Sequence, residues 1–234
     1  VVSVVGSDFP DAHLQLFRDR GVNISGLEIV PDGKTFFWSG KYHNDLNVRD
    51  TLATELNVLA DFKPVVPADY KDAEIVMLGN LHPGVQLSVI EQKVDVITIN
   101  DEEARQLSGE YSLVKAAAKI HEMGPAYVVI KKGEHGALLF HNKQVFFAPA
   151  LPLEEVFDPT GAGDSFAGGF VGYLAQSENI SFENMKNAVI HGSNIASFCV
   201  EKFGTERLID LDQKALKDRL KQFIALTQFD IDLA

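Results

Sequence analysis

A single cysteine, Cys199, occurs in the 234 residues, so no disulfide can close within the chain and a reducing compartment is its natural setting. Cations are scarce: 21 Lys and Arg stand against 33 Asp and Glu, a net charge of −12. A surface that tracks nucleic-acid phosphates needs clustered Lys and Arg, so nucleic acid is not an expected partner. A small anion held by a few local groups is not excluded by that field. No apolar run approaches the ~20 residues that span a bilayer, and no stretch reads as a signal peptide. A cytoplasmic protein without a membrane partner is expected. The seven histidines show no i,i+4 or C-x-x-C-like pairing, so no zinc site is expected. There is no G-x-x-x-x-G-K-[ST] either, which excludes a P-loop.

What is present is ordinary globular composition, 46% hydrophobic and 23% charged, enough for one large α/β domain. Buried-type apolar runs predict strands at 1–6, 74–79, 94–100 and 126–133, alternating with helical periods at 12–20, 101–109 and 113–123. Residues 136–141 and 144–148 read as a hairpin. Helices follow at 161–175, 182–202 and 212–226. The aromatic KTFFWSGKY (34–42) reads as a strand of a small sheet outside the core. The order βαβα predicts a mostly parallel sheet. At 92/93 a helix-like PGVQLSVIEQ (83–92) abuts the strand-like KVDVITIN (93–100) with no turn residue, a seam where chain is expected to be missing.

DPTGAGDSFAGGF (158–170) sets flexible residues and an acid at the start of a buried helix. The first turn of a helix presents unpaired N–H groups and partial positive charge, and glycines let that backbone approach a ligand. Gly161, Ala162 and Gly163 therefore form a candidate anion cradle with the carboxylate of Asp164 beside it. Phosphoryl transfer asks for that combination of charge stabilisation and adjacent base. Two other motifs fit poorly. G-x-G-x-x-G breaks at Phe166, and G-D-S-F-A misses the hydrolase elbow G-x-S-x-G by Ala167. A serine hydrolase using Ser165 is the distant alternative, since Pro152 and Pro159 make a poor preceding strand. Asn100, Asp101, Glu102 and Glu103 read by themselves as a helix cap with dipole-favoured acids, and Gly133 and Gly136 as a turn.

DPTGAGDSFAGGFV (158–171) resembles the C-terminal signature of the PfkB/ribokinase family of carbohydrate kinases. Further segments are similar to family elements in family order. VVGSD (4–8) with GVNISGL resembles the early segment leading to the lid strands, NDEE (100–103) the N-x-x-E element, KKGEHGALL (131–139) the nucleotide-side G-x-x-G loop, and NIASFCVEKFGT (194–205) the helix and loop closing the base pocket. The resemblance spans nearly all of the chain. It implies a three-layer α/β/α sandwich with a small β lid from about 27–50, as one kinase domain over 1–234. Family elements upstream of Val1 and near 92/93 are absent, so the domain is expected to be incomplete there.

The implied activity is ATP-dependent phosphorylation of a hydroxymethyl group on a sugar or nucleoside. Asp164 would be the general base, with Gly161, Ala162 and Gly163 stabilising the transferred phosphoryl group. Asn100 and Glu103 would act on the Mg²⁺–phosphate side through water. Lys132, Gly133, Glu134 and Gly136 would face the nucleotide, with Lys132 departing from the small or apolar residue relatives often carry. Asn194, with Ser193, would line the base pocket, and Asp158 and Thr160 with the loop near Gly204 would hold a potassium ion. A homodimer contact through the aromatic lid sheet (Phe37, Trp38, Tyr42) is expected. The alternative from another class is a catalytically silent nucleotide- or sugar-binding paralogue, against which the retained Asp164 argues.

Overall fold

The computed structural model describes residues 1–46, 48–79 and 94–228. They fall into two compact units, Val1–Gln92 and Lys93–Ala234. The 92/93 seam and the helix expected at 83–92 lie outside the described residues.

In the first unit, strand β1 (Val2–Gly6), helix α1 (Asp11–Asp19) and strand β2 (Gly26–Val30) form a βαβ crossover with β1 and β2 parallel. Gly6 is required at the end of β1, because a β-carbon there would lie 2.3 Å from the Gly33 carbonyl oxygen. Two residues on, Asp8 accepts hydrogen bonds from the Thr35 amide (2.7 Å) and hydroxyl (2.6 Å), which pins the VVGSD segment to the next loop. Strands β3 (Phe37–Tyr42) and β4 (Arg49–Glu55) form a separate antiparallel pair with a register shift between Ser39 and Gly40. Trp38 lies flat along that strand because Gly40 leaves room for its ring, and the Arg49 guanidinium sits 5.4 Å from its centroid. The strand cluster expected near 27–50 thus divides: β2 pairs with β1, and only β3–β4 stand as a small sheet. Residues 74–79, apolar enough to predict a strand, form none. Among the described residues this apolar run finds no strand to pair with, and Ile75, Val76 and Met77 are exposed.

The second unit is a three-layer sandwich. Strands β5 (Val96–Asn100), β6 (Tyr127–Lys131), β7 (Ala137–His141) and β8 (Gln144–Ala148) run in that order across one sheet. Alternation along β6 sends successive residues to opposite faces. Val128 and Ile130 pack with Phe140 against Ala104, Ala116, Ala117 and Ile120 of helices α2 (Asp101–Ser108) and α3 (Leu113–Met123). Tyr127 and Val129 pack on the other face against Phe166, Phe170 and Leu174 of α4 (Ala162–Ser177) and Met185, Ala188 and Val189 of α5 (Phe182–Cys199). The α/β class and layered sandwich are as expected. Among the described strands, parallel pairing is confined to β1–β2 and β5–β6, while β6–β7 and β7–β8 are antiparallel. The reason is local: a loop closed by the Lys132 N–H to Gly136 carbonyl bond (2.7 Å) and a two-residue turn with Asn142 at φ 54° leave no room for crossover helices.

Small residues let α4 and α5 approach closely. A β-carbon on Gly169 would lie 2.8 Å from Ile195 and 2.9 Å from the His191 carbonyl, and one on Gly192 would lie 2.8 Å from the Phe166 carbonyl. Helices α6 (Glu206–Ile209) and α7 (Gln213–Thr227) close the same layer. There Arg219 stacks 3.8 Å from the Phe198 ring centroid, donates to Ser197 (3.1 Å) and pairs with Glu201, which also takes Arg207 (3.0 Å).

Within α5, His191 stacks on Tyr173 at 4.3 Å, and burial lowers its imidazole below the ordinary histidine value. The unfolded chain therefore takes up this proton first as pH falls. The stabilising effect of a neutral His191 is complete above the unfolded value of about 6.5 and is lost as pH drops below it toward the folded value. Thermal melts at pH 8 and pH 5.5 should differ less in His191→Phe, which keeps the stack, than in the wild type. An unchanged difference would refute this assignment.

Candidate active site

The C-terminal ends of β5 and β6, side by side in parallel register, bring Asn100 opposite Lys131. Ligand contacts in parallel α/β units arise at such strand ends. Asn100 also caps α2: its side-chain oxygen accepts from the Glu103 amide (2.7 Å), and Glu103 Oε2 accepts from the Asn100 amide (2.8 Å). This reciprocal capping box fixes both side chains. The cap predicted from sequence and the strand-end placement are therefore features of the same two residues. One Glu103 oxygen serves the cap; the exposed carboxylate keeps its other oxygen for a water of a hydrated cation. Among the described residues no cluster of three or more His, Cys, Asp or Glu side chains is placed to cage a metal. A free carboxylate oxygen of this kind fits contact with a hydrated cation through water rather than direct caging by the protein.

Helix α4 begins at the residues expected to form the anion cradle. Gly161 is its N-cap in the left-handed region (φ 80°), a conformation that favours glycine, and a β-carbon there would meet only Cys199 Sγ at 3.8 Å. The Ala162 amide donates to the Pro159 carbonyl (3.1 Å) and Ser165 to Gly161 (2.8 Å). Among the described residues the Gly161 and Gly163 amides have no backbone acceptor outside the helix. Asp164 is exposed in the first turn. Ser165 follows on the same turn.

The loop before α4 is stitched to the end of α5. Phe157 and Asp158 amides donate to the Val200 carbonyl (2.8 and 3.3 Å), buried Asp158 accepts from the Thr160 amide (2.9 Å), and Cys199 Sγ lies 3.6 Å from the Thr160 carbonyl. Asp158 thus holds the glycine loop in shape. The Asn194 amide donates to the Leu216 carbonyl of α7 (3.1 Å), and its buried Oδ1 has no partner among the described residues. Gly133 (φ 56°) and Gly136 (φ 78°) bracket one 3-10 turn after β6, and Glu134 is exposed there beside His135 (3.7 Å).

Lys131, which the motif reading passed over in favour of Lys132, joins the groups. Its ammonium lies where a β-carbon on Gly163 would be 3.1 Å away, and the negative fields of Glu103 and Asp164 both reach it. Burial lowers its proton affinity below the ordinary lysine range, and the two carboxylates partly offset that. A signal existed in the sequence. Period-two alternation places 127, 129 and 131 on one face, the face that α4 covers. Structure therefore assembles Asn100, Glu103, Lys131, Gly163 and Asp164, with the Asp158–Thr160 turn as support, while Lys132 contributes a backbone bond to the adjoining loop.

The model of the pfkB family carbohydrate kinases matches residues 71–211. The chain is 31% identical over 204 residues to the cytidine kinase of Thermococcus kodakarensis, covering 73% of this chain and 72% of that relative. It is 29% identical to the nucleoside kinase of Methanothermobacter thermautotrophicus, covering 93% of this chain and 77% of the relative. The ribokinase of Arabidopsis thaliana, solved with ribose and ATP, superposes with a TM-score of 0.71 at 22% identity, over 94% of this chain and 81% of that one.

Proposed function

Because the chain belongs to the pfkB family of carbohydrate kinases, whose members phosphorylate sugars or nucleosides, we propose that it transfers the γ-phosphoryl group of ATP to the primary hydroxyl of a nucleoside. The observation that carries the chemistry is the meeting of the α4 N-terminus, Asp164 and Lys131 at the strand ends. The carboxylate of Asp164 accepts the hydroxyl proton as the substrate oxygen bonds to phosphorus and the bond to the ADP oxygen breaks. The Gly161 and Gly163 amides oppose the charge that develops on the phosphoryl oxygens. Mg²⁺, held through water by Glu103 and Asn100, would neutralise phosphate charge when bound.

Nucleoside rather than free sugar is favoured because relatives matched over 73% and 93% of this chain are named for cytidine and nucleosides. The deciding measurement is coupled ADP release with Mg²⁺ over a panel of nucleosides and sugars. A nucleoside should exceed ribose and fructose in kcat/KM by about tenfold or more, a margin that polar recognition of the base readily supplies. Preference for a free sugar would replace the nucleoside assignment. Binding of nucleotide and nucleoside without turnover would establish a silent paralogue.

A further inference from the structure

Resting on that kinase reading, we propose that Lys131 is a catalytic residue of the transfer: its ammonium contacts the migrating phosphoryl group opposite the α4 amides. Lys131 closes β6 at the position paired with Asn100, on the face that α4 covers. Its Nζ sits over the first turn of α4, close enough to Gly163 that a β-carbon there would stand 3.1 Å away. A helix N-terminus carries roughly half a positive charge, so an ammonium set against it is repelled. Among the described residues that ammonium forms no ion pair that would explain the position. Glu103 and Asp164 attract it through the field without contact.

Cation and helix end thus border the same space, and an anion held there relieves the repulsion. The same cation solves a second problem. A triphosphate entering beside Glu103 and Asp164, on a chain of net charge −12, meets like charge that Lys131 and the α4 amides oppose. In free protein the lysine offsets the two acids. With ATP bound it faces the phosphoryl oxygens, whose charge grows during transfer, and Asp164 is left to accept the proton.

The test uses full-length protein as wild type, Lys131→Met, Lys131→Arg, and Lys119→Met as a control that removes a surface cation on α3. Two quantities are read: steady-state kcat and KM for ATP, and binding of inorganic phosphate by calorimetry without substrate. Lys131→Met should lower kcat about 10²–10³-fold, the usual cost of one electrostatic contact to the transition state, with a smaller change in KM for ATP. Phosphate should bind it at least about tenfold more weakly, as expected for a lost charged hydrogen bond. Lys131→Arg should recover most of the phosphate affinity, and Lys119→Met should match wild type in both. Turnover of Lys131→Met within about threefold of wild type overturns the proposal, as does unchanged phosphate affinity. Wild-type protein that binds phosphate but releases no ADP with any substrate defeats the kinase reading and with it the catalytic role, while the phosphate arm still decides whether Lys131 holds an anion.

Discussion

Replacing Asp164 with asparagine is expected to lower kcat by about 10²–10⁴-fold, the range a positioned general base contributes, while nucleotide affinity stays within about threefold of wild type. The separation follows from the placement. The Gly161 and Gly163 amides that would face phosphate belong to the backbone and survive the substitution, whereas the carboxylate that takes the proton does not. Asparagine is nearly the same size and Asp164 is exposed, so the fold loses only the first-turn acid and part of the compensation of Lys131. A melting temperature within a few degrees of wild type would show that the lost turnover is chemical. ADP release within tenfold of wild type would remove Asp164 from the mechanism.

The second large effect is on stability. Gly136→Val should destabilise the fold by about 3 kcal/mol or more, from two independent penalties. The residue has φ 78° and ψ −148°, a region occupied essentially by glycine alone. A β-carbon would also lie 2.1 Å from the Ala148 carbonyl and 2.9 Å from the Ala150 amide, both backbone atoms that cannot swing aside. Gly109→Ala is the matched control. That glycine ends α2 at φ 72° with nothing within 4 Å of a β-carbon, so only the backbone term, about 1 kcal/mol, applies. Equal melting temperatures for the two variants would show that the close approach of Ala148 does not matter. The comparison also sharpens the meaning of the G-x-x-G loop: Gly136 is demanded by the path of the β6–β7 turn against β8, whatever the loop binds.

Much of the site was readable before any fold was known because its signals are local. An acid after a glycine-rich triplet ahead of small and apolar residues marks a helix start, and Gly161 is the left-handed N-cap of α4. Asn100 three residues before Glu103 marks a capping box, and both of its bonds are present. The hairpin at 137–148 was legible from strand alternation around a short polar turn. In each case the interaction joins residues no more than a few positions apart, so composition and spacing suffice to specify it.

Non-local pairings were not legible. An apolar run at 74–79 and the similar GLEIV at 26–30 look alike in sequence, yet only the second finds a strand, β1, to pair with. Asn194 stood on a helix with polar neighbours, and only the packing of α7 against α5 turns its amide to Leu216. Lys131 and Lys132 are adjacent and chemically identical. The pleat of β6 decides that the first faces α4 and the acids, because alternate residues leave a strand on opposite faces. The sequence by itself determined the helix starts, the glycine cradle and the acid beside it, since each depends on bonds within one turn of chain. Tertiary structure alone decided which strand ends meet and which of two lysines stands over the cradle, since that depends on register and on which face a neighbouring layer covers.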